Sequence, residues 1–261
     1  MKVRILQIDY SDNRSPEERL LYVVHQIKKF SKGDFVILPE MWPLGFQSCE
    51  ISSKSIVWSD YVLEELRKVA RAHSILLHCG SFIESEGKDL FNTSYMIGNS
   101  GEIVSKYRKV HLFSFQSLES ESFTPGQEIC VIDYAGFRIG LAICYDLRFP
   151  EFFRALVEQG AELIVVTAAW PKSRLDAWKL FCKARALENQ CYLIGCNACG
   201  EDQGLEMGGH SLFISPQGKE LTVASFGETI LDAEIDKGYL LKVRNLFPFL
   251  KDRRNPSLFF K

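Results

Sequence analysis

Three side chains stand where a reacting group would be useful. Cys144 ends the apolar run Arg138-Ile139-Gly140-Leu141-Ala142-Ile143 and precedes Tyr145-Asp146-Leu147-Arg148-Phe149-Pro150, a passage that turns a strand into a helix. A thiol on such a turn meets the positive ends of helical dipoles, which favour the thiolate. The commoner fate of a cysteine is inert burial, and the chain has eight. Glu40, in Leu38-Pro39-Glu40-Met41-Trp42, directly follows another apolar run. A carboxylate at the C-terminal edge of a buried strand faces the usual ligand crevice of an α/β sheet, where low dielectric suits it to proton transfer, although a capping or salt-bridged glutamate fits the same place. Lys109 lies in Lys106-Tyr107-Arg108-Lys109-Val110-His111-Leu112. Three cations in four residues describe a solvated basic face equally well, but an ammonium fixed beside a nucleophile would stabilise the oxyanion of an attacked carbonyl.

Other chemistries lack their marks. The sequence has no HExxH, GxSxG, GxGxxG or P-loop. Cys196-Asn197-Ala198-Cys199 has redox or zinc-knuckle spacing but no second pair, and Cys191 and Cys196 would face opposite sides of one strand. A papain-like pair with His25, His73, His78, His111 or His210 stays open, since none carries a local signature tying it to Cys144.

The elements that must position these groups alternate along the chain. Ser15-Pro16-Glu17-Glu18 combines an N-cap, Pro at the first helical position and a capping box, and Leu20, Val23, Val24, Ile27 and Phe30 continue a helix over residues 16–30. Phe35–Leu38 reads as a strand buried on both faces, and residues 60–73 as a second helix leading to a strand near Ile75-Leu76-Leu77. Asn99-Ser100-Gly101 closes a hairpin between Tyr95–Ile97 and Glu102–Val104. Beyond Cys144, Pro150 opens a helix to about Glu158, Leu163–Val166 forms a strand, residues 176–189 a helix, and Cys191–Cys196 and Ser211–Ile214 two later strands. The expected organisation is one layered α/β domain over residues 1–261.

Composition narrows the partners. Lys and Arg total 31 against 33 Asp and Glu, a formal charge of -2 that supplies no field for nucleic acid or an anionic membrane surface. No apolar run of about 18 residues predicts a span, and cysteines without a disulfide-like framework suit a reducing, cytoplasmic compartment.

Taken together, Leu38-Pro39-Glu40, Tyr107–Leu112 and Cys144–Glu151 resemble, in order and approximate separation, the three signatures of the nitrilase superfamily of carbon–nitrogen hydrolases. Ala186-Leu187-Glu188-Asn189-Gln190 and Gly209-His210-Ser211 extend the resemblance over nearly the whole chain. It implies a four-layer α/β/β/α sandwich that usually dimerises, no cofactor, Cys144 as nucleophile, Glu40 as proton shuttle and Lys109 as oxyanion holder. It also implies a second glutamate before a Pro-Gly, for which Glu121 in Glu121-Ser122-Phe123-Thr124-Pro125-Gly126 is the match.

Cys144-Tyr145-Asp146 resembles the amidase branches, where true nitrilases typically read Cys-Trp-Glu. Trp170-Pro171, Arg174 and Gly195-Cys196-Asn197 are most similar to bacterial ω-amidases, which release ammonia from short 2-oxo acid amides with water as co-substrate. The deaminated-glutathione amidase branch shares the nucleophile signature; a catalytically silent assembly subunit is the reading from another class, and full retention of the site residues argues against it. Expected substrate contacts are Tyr145, Trp170 and Arg174, the last clamping a distant carboxylate; Arg148 is its rival but suits a structural ion pair. Four Phe in the last 15 residues make 244–261 a tail expected at a homodimer interface.

Overall fold

The computed structural model describes residues 1–11, 13–46, 52–115, 117 and 119–254. Its first half runs β1 (Lys2–Gln7), α1 (Pro16–Ile27), β2 (Phe35–Ile37), α2 (Ser53–His73), β3 (Leu76–Glu86), β4 (Asp89–Ile97), β5 (Ile103–Arg108) and the single turn α3 (Glu119–Ser122). The second half runs β6 (Cys130–Tyr134), β7 (Phe137–Ile143), a 3-10 turn at Cys144–Arg148, α4 (Pro150–Glu158), β8 (Leu163–Ala168), α5 (Leu175–Asn189) and β9 (Tyr192–Asn197). After these come the short β10 (Glu201–Asp202) and β11 (Leu205–Glu206), then β12 (Leu212–Ile214), β13 (Glu220–Val223), β14 (Thr229–Glu234) and α6 (Lys237–Leu246).

Two six-stranded mixed sheets result, ordered β14-β1-β2-β3-β4-β5 and β13-β12-β9-β8-β7-β6. Each has three parallel central strands, β1-β2-β3 and β7-β8-β9, with antiparallel strands outside them. Alternation along the strands sorts the core. Leu6, Val36 and Leu77 pack with Leu20, Val23, Val62 and Leu66 of α1 and α2, whereas Val3, Ile5, Ile37 and Leu76 join the second sheet and the helices behind it. The layers are therefore α/β/β/α, as expected from the resemblance.

Local signals explain most boundaries. Ser15 and Glu18 form the reciprocal cap of α1, which stops at Ile27 where residue 30 was expected. A second capping box, between Ser52 and Ser55, starts α2 two turns before the expected residue 60. Its first turns carry Val57, Trp58 and Tyr61, too irregular in periodicity to signal a helix by themselves. The hairpin at residues 99–101 is present, with Gly101 at φ 85. Strand β3 runs on to Glu86 because polar residues alternate through its distal half, opposite β4.

Candidate active site

The two sheets meet over a small set of buried polar side chains. Glu40 lies three residues beyond β2 and is fully buried, with Pro39 ending the strand ladder. Its arm is held by the Tyr10 hydroxyl, which donates to the Glu40 carbonyl oxygen, and by the Met41 amide, which donates to Ser81 Oγ at 3.0 Å. Gly80, at φ +73, lets β3 pass beneath this arm: a Cβ there would lie 2.0 Å from the Pro39 carbonyl oxygen. From the opposite sheet the Ala169 amide donates to Glu40 Oε2 at 2.9 Å, and Thr167 Oγ1 donates to the Leu38 carbonyl at 2.7 Å.

Lys109 directly follows β5, and the strand's alternation turns it inward with Tyr107 while Lys106 and Arg108 point outward. Its Nζ donates to Glu40 Oε1 at 2.8 Å and to Glu119 Oε1 and Oε2 at 2.8 and 2.9 Å. Burial disfavours the ammonium, yet the two carboxylates outweigh it and hold the Lys109 pKa above its ordinary value. Glu119 moves up as well: burial and Glu40 raise it against the pull of Lys109.

Cys144 begins the 3-10 turn at φ 44, a left-handed conformation that costs a non-glycine residue about 1–3 kcal/mol and is held here by its neighbours. Asp146 does much of that holding. Its Oδ2 accepts from the Ile143 amide at 2.8 Å and the Tyr107 hydroxyl at 2.7 Å, while Oδ1 accepts from the His111 amide and lies 2.8 Å from His111 Nδ1. Burial pushes the Cys144 thiol up, Glu40 adds to the shift, and Lys109 opposes it. The expectation that helical dipoles favour a resting thiolate is thus corrected: α4 starts only at Pro150, and desolvation wins. The resting group is a thiol beside a carboxylate that can take its proton.

Glu40, Lys109 and Cys144 are brought together as expected, but Glu121 is not with them. The structure puts Glu119 on Lys109 and leaves Glu121 exposed. Two residues on a helix are separated by about 200°, so the turn that aims Glu119 inward turns Glu121 out. Sequence spacing alone could not choose between them. Asn92 of β4 also escaped notice; its Nδ2 donates to Glu40 Oε1 at 3.0 Å and Glu119 Oε1 at 2.9 Å.

Above Cys144 opens a cavity of about 150 Å³, walled by Phe46, Phe113, Tyr145, Trp170 and the two arginines, Arg148 and Arg174. Arg148 lies over the Trp170 ring at 4.9 Å, and Arg174 over Phe113 at 5.0 Å, while Trp170 Nε1 donates to the Arg174 carbonyl. Neither guanidinium has a carboxylate partner among the described residues, so the ion pair expected of Arg148 is absent there. Cys196 and Cys191 do face opposite ways, to the Leu6 carbonyl and the Arg185 carbonyl, and no metal-binding cluster occurs among the described residues.

Residues 2–245 match the carbon-nitrogen hydrolase family. The chain belongs to that family. A 2-oxoglutaramate amidase of Bacillus subtilis is 34% identical over 253 residues, covering 97% of each chain. A deaminated glutathione amidase of Yersinia enterocolitica is 31% identical over 266 residues, 97% of this chain and 92% of its own. Among solved structures, an amidase variant from Nesterenkonia sp. AN1, with the acetamide moiety of fluoroacetamide on its active-site cysteine, superposes with a TM-score of 0.81 at 25% identity over 96% of each chain. This carbon–nitrogen hydrolase is accordingly an enzyme with a cysteine nucleophile.

Proposed function

We propose that the protein is an ω-amidase that hydrolyses the terminal amide of a short 2-oxo acid amide, such as 2-oxoglutaramate or 2-oxosuccinamate, to the acid and ammonia. The observation that carries this reading is the pairing of a buried Cys144–Glu40–Lys109 cluster with a cavity whose two arginines have no carboxylate partner among the described residues. Aromatic walls suit a small organic body, and an unpaired guanidinium suits a carboxylate. A cavity near 150 Å³, below the roughly 300–1,000 Å³ of drug-sized sites, favours the short acid over a dipeptide-like one.

In this mechanism Glu40 removes the thiol proton as Cys144 Sγ bonds to the amide carbon, and the carbonyl electrons move onto oxygen. The Lys109 ammonium stabilises that oxyanion, aided by the Tyr145 amide. Neutralising Glu40 weakens its hold on Lys109 at the moment the oxyanion appears, so one proton transfer also frees a donor. The carbon–nitrogen bond breaks, ammonia leaves with the proton from Glu40, and a thioester remains. Water then loses a proton to Glu40 and attacks; the thiolate departs and recovers that proton. Glu119 fixes the ammonium from its other side.

Ammonia release from 2-oxoglutaramate, 2-oxosuccinamate, deaminated glutathione, a simple aliphatic amide, an N-carbamoyl amino acid and a nitrile tests the reading. Highest kcat/KM on the first two supports it; preference for deaminated glutathione would move the enzyme to that branch. Full activity in Cys144→Ala, or an acyl group trapped on another cysteine, would end the mechanism. Exposed Leu246 and Phe247 support a homodimer built on the C-terminal segment, which light scattering would reject by a monomer mass; Phe259 and Phe260 lie outside the described residues. The seven described cysteines are free, which fits a cytoplasmic setting.

A further inference from the structure

The two glutamates that flank Lys109 differ in how many donors they receive. A carboxylate offers about four lone-pair sites. All four of Glu119 are used: Oε1 by Lys109 and Asn92, Oε2 by Lys109 and the Phe113 amide at 2.8 Å. Glu40 receives three: Lys109 and Asn92 on Oε1 and the Ala169 amide on Oε2. The fourth site on Glu40 is taken by no donor among the described residues, and the carboxylate lies near enough to Cys144 to raise the pKa of its thiol.

Asn92 is common to both sets. It is buried on β4, and its backbone carbonyl accepts from the Lys109 amide at 2.9 Å, so one residue touches three members of the cluster. Its orientation follows from chemistry: turned over, the amide oxygen would face two carboxylate oxygens. In the observed orientation Oδ1 has no partner among the described residues, an unusual state for a buried polar atom and one tolerated for what Nδ2 does. Because an amide nitrogen only donates, its bonds to the two glutamates are strongest when both are anions, and a proton on either weakens the bond it makes there.

We propose that Asn92 is a positioning residue that assigns the two buried carboxylates different tasks, completing the donor set that keeps Glu119 an anion and leaving Glu40 the one lone pair that takes the Cys144 proton. It rests on the reading of Cys144 as nucleophile but not on any substrate. Exchange of Asn92 for aspartate keeps the shape, reverses donor to acceptor and adds a third carboxyl group that competes for the same protons. Proton uptake by that crowded set then competes with removal of the Cys144 proton.

The test is the rate of Cys144 alkylation by iodoacetamide as a function of pH, read by mass of the Cys144 peptide in the parent, Asn92→Asp and Asn92→Ala. The expected result is a fall of about tenfold at neutral pH in Asn92→Asp, with the acid limb displaced upward by about one pH unit, and a smaller displacement in Asn92→Ala. A merely structural role would lower thermal stability and leave the limb in place; a folded variant whose curve superimposes on the parent's overturns the proposal. If neither variant folds, infrared spectroscopy of the parent against Glu119→Gln decides whether Glu119 is the anion the proposal requires. A Glu119→Gln difference spectrum at about neutral pH should show loss of a carboxylate band, and loss of a carboxylic acid band instead overturns it. Since alkylation needs no substrate, silence of every amide tested would sink the ω-amidase reading and leave this one standing or falling separately.

Discussion

Where β5 ends, adjacent cations enter two ion clusters of different make-up, one outside and one inside. Outside, Glu84 is shared by Lys106 at 2.7 Å and Arg108 at 2.6 Å, and Arg108 also reaches Glu86 at 2.8 Å while lying over the Phe91 ring, two cations against two anions. Inside, Lys109 is shared by Glu40 and Glu119, one cation between two anions, with essentially no exposure. The strand's two-residue alternation makes the difference, sending consecutive cations to water and to the core. Water screens the outer cluster, so its bonds contribute little beyond local order. In the inner one each charge is desolvated and depends on the others, which makes it costly to build and responsive to a single proton. A basic run in a sequence can therefore hold a solvated face and a reaction centre at once.

The sharpest way to break this comparison is to remove one cation from each cluster. Lys109→Met should lower kcat/KM by about 10³-fold, roughly 4 kcal/mol of transition-state stabilisation, while Arg108→Met stays within about twofold of the parent. Circular dichroism of the Lys109 variant separates chemistry from unfolding, because two buried carboxylates lose their cation there. Comparable losses in both would erase the distinction.

A third kind of cation, Arg174, sharpens the contrast, since the protein supplies it with no described anion and the substrate would. Arg174→Ala should cost about 2–4 kcal/mol in kcat/KM for a carboxylate-bearing amide and far less for a neutral amide of similar length. Equal losses on both substrates would remove Arg174 from recognition of the carboxylate. A smaller effect, of about 2–3 kcal/mol in unfolding free energy, is expected from Gly80→Ala, read by denaturant melting. The new methyl group strikes the Pro39 carbonyl and the Trp42 ring, and so displaces the arm of the inner cluster without touching a charge.

The outer cluster predicts the smallest effect, in acid. Burial alone would raise the Glu84 carboxyl, but Arg108, Lys106 and Thr93 hold it at about 2, below its ordinary 4.5. A carboxyl with a depressed folded-state pKa contributes stability that is whole above the unfolded value and is lost as pH falls from about 4.5 toward 2. Melting temperature should thus decline less steeply through that window in Glu84→Gln than in the parent.

The sequence made Cys144 and Glu40 legible because each follows an apolar run that marks a strand, and a strand's end is a place; Lys109 follows Lys106-Tyr107-Arg108, and only the family resemblance raised it above a solvated basic face. The second carboxylate was legible only to within one helical turn, since Glu119 and Glu121 differ by rotation and nothing in a four-residue turn declares its inward side. Asn92 was hidden for a different reason. It sits mid-strand among Phe91, Thr93 and Ser94, and its meaning comes from side chains 52 and 27 residues away. The layered architecture followed from alternation of elements; β6, β13, β14 and α6 did not, because their burial is partial and their apolar periodicity correspondingly weak.

The site is also a seam. Glu40, Asn92, Lys109 and Glu119 belong to the first half of the chain, while Cys144 and the Ala169 amide come from the second, and the Thr167 hydroxyl and Cys196 thiol stitch the halves through the carbonyls of Leu38 and Leu6. Neither half alone possesses a reaction centre. During refolding, helices and hairpins return early because their contacts are local, and the long-range docking of the sheets comes late. Turnover should therefore return no earlier than the docking of the two sheets, and its time course in refolding, set against that of helix recovery by circular dichroism, measures when the two leaves of the protein close.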